Sequence, residues 1–189
     1  MKKKNKGDYG YFNYRKMIQL LKCLFVLAGM VILILIGYSV THTRKNVMTV
    51  VAIVSALPLA NAAVILFTAL PYHSRPKEEY EEVKAVAGDG LLSTELLLTR
   101  GSGKSFLIDY AYIHPEGVLL YTTDTGLKEE DVITHIKEIM VNHELYPNIK
   151  IYKNLKKFQL RIKDLAPVHR RDCDEELLKI EGVLHAISI

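Results

Sequence analysis

The chain has 189 residues, 49% of them hydrophobic and 24% charged, with a formal net charge of +4. Its two cysteines, Cys23 and Cys173, are too few for a disulfide framework or for a zinc site built on cysteine. The charge is divided: residues 1–70 carry nine Lys/Arg and one Asp, whereas residues 71–189 carry sixteen Lys/Arg and twenty Asp/Glu. The basic balance therefore belongs to the first third, which argues for lipid headgroups rather than nucleic acid as its partner.

Residues 1–16 form a basic leader in which Tyr9, Tyr11, Phe12 and Tyr14 interleave with lysines and Arg15. Such a flank stays in the cytoplasm, and its rings favour the headgroup zone. It is expected to be a solvated segment that only sets topology, with anionic-lipid binding as the alternative. Residues 17–70 follow as a hairpin. Its two uncharged apolar runs are Cys23–Val40, of 18 residues, and Val47–Leu70, of 24. About 20 helical residues cross a bilayer core of ~30 Å, so spans are expected at about 20–41 and 47–70. The first run is long for a signal peptide, and Tyr38-Ser39-Val40-Thr41 is a poor cleavage site. Basic residues crowd the N-terminal flank, whereas the short loop holds only Arg44 and Lys45. Both termini are therefore expected in the cytoplasm, with the chain in the cell membrane.

Within the hairpin, Ala52, Ala56 and Ala60 recur on one helix face, and Gly29 and Gly37 are eight apart. Small residues at such spacing let helices approach closely, within the hairpin or between copies of the chain. Pro58 is expected to kink the second helix, and Asn61 to seek a hydrogen-bond partner.

Residues 71–189 read as one α/β domain. Pro71–Pro76 turns the chain, and Lys77–Ala87 has helical periodicity. Thr94–Thr99, Ser105–Ile113 and Val118–Thr123 read as an antiparallel meander, and Thr125–Asn142 as an amphipathic helix. Strands are then expected at Ile149–Lys153 and Phe158–Leu165, a short helix at Asp172–Ile180 stopped by Gly182, and a last strand at Val183–Ile189.

Three motifs invite chemistry. Gly101-Ser102-Gly103-Lys104-Ser105 resembles a phosphate loop, but Leu98 stands where its first Gly belongs, and a strand follows instead of a helix. A hairpin turn is the expectation. His135 with Glu138, and His169 with Cys173, have helical ligand spacing but no third ligand, so solvent-facing side chains are expected. Lys150, Arg161 and Lys163 beside Tyr152 would form a basic sheet face near the membrane.

Ile108-Asp109-Tyr110 through His114-Pro115-Glu116-Gly117 and on to Tyr121 resembles the core of the nuclease-related domain, of the restriction-endonuclease-like superfamily. The resemblance covers about residues 77–153 and implies an α-β-β-β-α-β core. It places Asp109 at the metal-binding Asp, but Thr122 and Asp124 fall where that family has Glu and Lys. Two carboxylates and a Lys carry that chemistry, so the nuclease site is incomplete. Glu95, Asp109 and Asp124 remain candidates for a different acidic metal site. A ferredoxin-like β-α-β-β-α-β order over residues 118–189 is the alternative fold.

The combined expectation is an α/β (α+β) domain with a mixed sheet behind a two-helix transmembrane hairpin. Its role is non-catalytic interaction or regulation, without a cofactor. A divergent metal-dependent nuclease using Asp109 and a homo-oligomeric assembly subunit are the alternatives.

Overall fold

A computed structural model describes residues 3–43, 46–99, 105–165 and 174–188. The chain divides into two compact units: Phe12–His73, and Met1–Tyr11 together with Ser74–Ile189.

The first unit is helical. Helix α1 spans Tyr11–Thr41, α2 Val47–Val54 and α3 Ala56–Ala69. Asn46 begins α2, its side chain accepting from Thr49 N at 2.9 Å. The second helical run breaks at Ser55. Pro58 explains the place: it has no N–H for the carbonyl four residues back, at Val54, and its ring crowds that carbonyl. Gly37 packs inside the hairpin, where a Cβ would lie 2.6 Å from Asn46 Oδ1 and 2.8 Å from Met48 Cβ. Ala52 is buried too. Gly29, however, has open space around it, and Ala56, Ala60 and Asn61 are exposed, so the small-residue stripe serves the hairpin only at its loop end. Tyr11–Thr41 and Val47–Ala69 are long and apolar enough to cross a membrane. Large side chains such as Phe25, Leu57 and Phe67 stand uncovered on them, unlike those of a core helix.

The second unit is a three-layer α/β/α domain. Helix α4 (Lys77–Ala87) leads into β1 (Leu91–Thr99), β2 (Ser105–His114) and β3 (Gly117–Tyr121). Helix α5 (Glu129–Asn142) crosses to β4 (Ile149–Tyr152), and α6 (Leu155–Asp164) and α7 (Glu175–Ile187) follow. The sheet order is β1-β2-β3-β4, with β3 and β4 parallel and the other pairs antiparallel. One face carries Leu91, Leu96, Ile108 and Leu120 against Ile136 of α5 and Leu184 of α7. The other carries Tyr110, Tyr112 and Tyr121 against Val83 of α4 and Phe158 of α6. Both faces are covered, so the strands are nearly continuous apolar runs.

Several expected elements change. Residues 158–165 are not a strand. Leu155, Phe158, Ile162 and Leu165 repeat at helical spacing and face inward, and Asn154 caps Lys157 N at 3.2 Å. Arg161 and Lys163 therefore lie on a helix, not on a sheet face. The expected last strand at Val183–Ile189 is also absent over its described residues, 183–188, because α7 continues through Gly182 to Ile187, burying Leu177, Ile180, Val183 and Leu184. Without those two strands the ferredoxin-like order is not formed. Helix α5 starts at Glu129 rather than Thr125, because Asp124 Oδ1 accepts from Gly126 N at 2.9 Å and holds a turn there. The Gly101–Lys104 turn, His169 and Cys173 lie outside the described residues, but Ser105 does open a strand.

The leader also departs from expectation. Lys4 to Gly10 are docked on the domain instead of solvated. Gly7 bridges the free edge of β1, its carbonyl accepting from Thr94 N at 2.8 Å and from Thr94 Oγ1 at 3.1 Å. Lys6 Nζ donates to the Ser188 carbonyl, and Leu98 bridges Ser188. Both ends of the described chain thus close an edge that would otherwise present unpaired backbone groups.

Candidate functional site

The candidate site lies where the β1–β2 ladder is interrupted. Leu91 through Thr94 pair with Ile113 through Tyr110, and Leu96 through Thr99 pair with Ile108 through Ser105. Glu95 and Asp109 are the residues left between, opposite each other and outside the ladder. Glu95 adopts a positive φ of 55°, an uncommon conformation for a residue with a Cβ. The interruption reverses the facing of both strands at once. Leu91 and Leu96 reach the same core although they are five positions apart, as do Ile108 and Ala111, three apart. Each strand skips one residue at the same point, so the register is preserved.

Both carboxylates are 3% exposed. Glu95 Oε1 accepts from Gly10 N at 2.6 Å. Beside it Tyr9 stacks on Tyr80, with ring centroids 4.2 Å apart and planes 9° from parallel. The Tyr9 hydroxyl donates to the Arg75 carbonyl at 2.8 Å. Burial, with the charge of Glu95, pushes the Tyr9 phenol up. Glu95, a candidate metal ligand from sequence, is thus a clamp on the N-terminal segment.

Asp109 Oδ2 accepts from Thr123 N at 2.7 Å and from Thr123 Oγ1 at 2.9 Å. Burial pushes its carboxyl above the usual range, while the Thr123 hydrogen bonds and the Arg75 charge oppose that shift. Arg75 holds Glu79 in a two-point ion pair, Nε to Oε1 at 3.0 Å and Nη2 to Oε2 at 2.6 Å. That pair keeps the guanidinium protonated well beyond its ordinary range. The Tyr110 hydroxyl lies near Glu79, and burial and that carboxylate push its pKa up strongly. Among the described residues it has no partner at hydrogen-bonding geometry. Thr122 donates from Oγ1 to the Leu107 carbonyl at 2.6 Å. This is a polar junction between the start of α4 and the end of β3, built of paired charges and tyrosines.

The third acidic candidate stands apart in role, since Asp124 is occupied with its own turn at Gly126. Among the described residues no three His, Cys, Asp or Glu side chains gather as a metal site. His135 does not face solvent as expected. It is 7% exposed, Nε2 lies 3.1 Å from the Thr99 carbonyl, and its ring neighbours Phe106. A cleft of about 70 Å³ opens beside Asn148, Lys150, Arg161 and Glu116, with Arg161 paired to Glu116 at 3.1 Å. Ligand pockets for drug-sized molecules run to roughly 300 Å³ and above, so this one suits little more than water or a small ion.

The chain matches no family model, no curated protein and no solved structure. Function therefore rests on the residues themselves. Asp109 and Glu95 are legible in the sequence as candidate site residues, whereas the junction roles of Tyr9, Arg75 and Glu79 are not. The one signal for that trio was an ion-pair spacing of four between Arg75 and Glu79.

Proposed function

We propose that this chain is a two-pass protein of the cell membrane whose α/β domain and both termini lie in the cytoplasm, and whose domain acts in non-catalytic interaction or regulation. The observation that carries the reading is the make-up of the second unit. Residues before the first apolar helix and residues after the second belong to one compact body. They must lie on the same side of any membrane, which requires an even number of crossings between them. Two helices of sufficient length and apolarity lie there. The Lys and Arg residues flanking the first helix favour the cytoplasm for that side. A C-terminal fluorescent-protein fusion, which folds in the cytoplasm, is expected to glow, and an alkaline phosphatase fusion to be inactive. The reverse pair of results contradicts the orientation.

The non-catalytic role is supported by how the polar groups are used. Glu95 clamps Gly10, Asp109 accepts from Thr123, and Glu79 is held by Arg75. A second reading, a divergent membrane-tethered nuclease, is favoured by the element order α4-β1-β2-β3-α5-β4, which is the order the resemblance implies. Detergent-solubilised chain, incubated with DNA and Mg²⁺ or Mn²⁺, separates the two. The interaction reading expects no cleavage. Metal-dependent cleavage abolished by Asp109→Asn would establish the nuclease instead.

A further inference from the structure

We propose that helix α6 is a docking face for an anionic bilayer surface, which lays the domain against the membrane that anchors it. The inference rests on the membrane reading above and adds to it the contact surface and its partner.

Residues 71–189 are net acidic, yet Lys150, Lys153, Lys156, Lys157, Arg161 and Lys163 fall within fifteen residues that contain one acidic side chain, Asp164. Helix α6 sorts them. Phe158 and Ile162 are buried, and Leu155 packs beside them. The opposite face presents Lys156, Lys157 and Lys163, all exposed. In the middle of that face is Leu160, 59% exposed, three or four residues from each of the three lysines. By contrast, Arg161 is turned to Glu116 and Lys153 to Glu129, so the outward set around Leu160 is the three lysines with one exposed carboxylate, Asp164. A polar, lysine-rich face with an apolar residue at its centre is how an interfacial helix meets anionic lipid: charge attracts, and the side chain enters the headgroup boundary.

Two observations favour lipid over an acidic protein. Helix α6 packs beside α4 on the same face of the sheet. Helix α4 begins at Lys77, eight residues after the apolar α3 ends at Ala69, so only a short tether separates the domain from the segment read as membrane-spanning. Moreover, two of the leader lysines expected to meet lipid are engaged on the domain itself. Lys4 Nζ donates to the Tyr9 carbonyl at 2.6 Å and Lys6 Nζ to that of Ser188.

The chain contains no tryptophan, so a single introduced one is a clean reporter. Full-length L160W is reconstituted into nanodiscs of phosphatidylcholine alone, or of phosphatidylcholine mixed with phosphatidylglycerol. In the anionic discs its emission is expected to shift to the blue, to be quenched by doxyl-labelled lipid, and to revert at high salt. V141W, at an exposed position on α5, should not respond. Each lysine near an anionic surface contributes about fivefold to partitioning, so Lys156→Glu, Lys157→Glu and Lys163→Glu together should lower the docked population by at least roughly a hundredfold. Identical Leu160→Trp emission in neutral and anionic discs overturns the inference. So does a shift in neutral discs on adding an acidic peptide or single-stranded RNA without a shift from anionic lipid. Failure of the chain to insert into discs at all contradicts the membrane reading itself, and this inference with it.

Discussion

Gly7→Ala is the sharpest perturbation of the N-terminal clamp. Gly7 has φ of 86°, and a Cβ there would lie 2.2 Å from His185 Nε2 and 2.6 Å from Cε1. The His185 ring is held in place by Ser93 Oγ at 2.8 Å from Nε2. Alanine in the left-handed region costs about 1–2 kcal/mol. Moving the ring gives up a hydrogen bond of about 1 kcal/mol. The segment escapes both penalties by lifting away, which exposes the Thr94 amide that now donates to the Gly7 carbonyl at 2.8 Å. A bias of about 2 kcal/mol toward the lifted state corresponds to roughly thirtyfold faster exchange of that amide. Hydrogen exchange by mass spectrometry on a peptide covering β1, with the full chain in nanodiscs, reads this directly. Gly88→Ala is the control: its φ is also positive, at 58°, but a Cβ there meets nothing within 4 Å. It should leave β1 unchanged. If Gly7→Ala leaves the Thr94 region as protected as before, the segment is not clamped on β1 and the reasoning fails.

Asp109→Asn tests the buried carboxyl. Its pKa is raised on folding, so the folded chain keeps the proton to higher pH than the unfolded chain does. The stability it contributes is fully present below the unfolded pKa and is lost as pH rises through the folded one. The amide variant should match the parent in acid and become relatively more stable with rising pH across that window; denaturation at several pH values checks it, and a difference that grows toward acid refutes the sign. Gly117→Ala should cost about 3 kcal/mol or more, because the Cβ would fall 2.1 Å from the Asn148 carbonyl oxygen, a backbone atom with nowhere to move. Thermal unfolding in detergent reads that loss. Leu184→Ala on α7, from a site with no exposure, should cost about 2–5 kcal/mol. Leu160→Ala on α6 should stay within about 0.5 kcal/mol in neutral detergent.

Much of the framework was legible because each element carried its own signal. Lys77–Ala87 had a helical stripe, Ser105–His114 and Gly117–Tyr121 were separated by a turn at Pro115-Glu116, and α5 was amphipathic. Helix α6 was misread because Phe158, Leu160 and Ile162 also alternate; the exposed Leu160 is the residue that belongs to neither core. At Glu95 and Asp109 the two skips cancel, so the pairing arithmetic carries no trace of them. The strands are buried on both faces, which hides the change of parity as well. The docked leader was illegible for another reason. Its main contacts run through the Gly7 carbonyl and the Gly10 amide, which any sequence possesses.

The central claim is that residues 3–10 and the domain share one side of a membrane crossed twice. Single cysteines at Lys3, Thr43 and Glu175, in a chain with Cys23 and Cys173 replaced by serine, test it with a membrane-impermeant maleimide on intact cells. Thr43→Cys alone should be labelled from outside, with Lys3→Cys and Glu175→Cys reacting only after lysis. Labelling of just one of the latter two from outside would place the leader and the domain on opposite sides and contradict the claim.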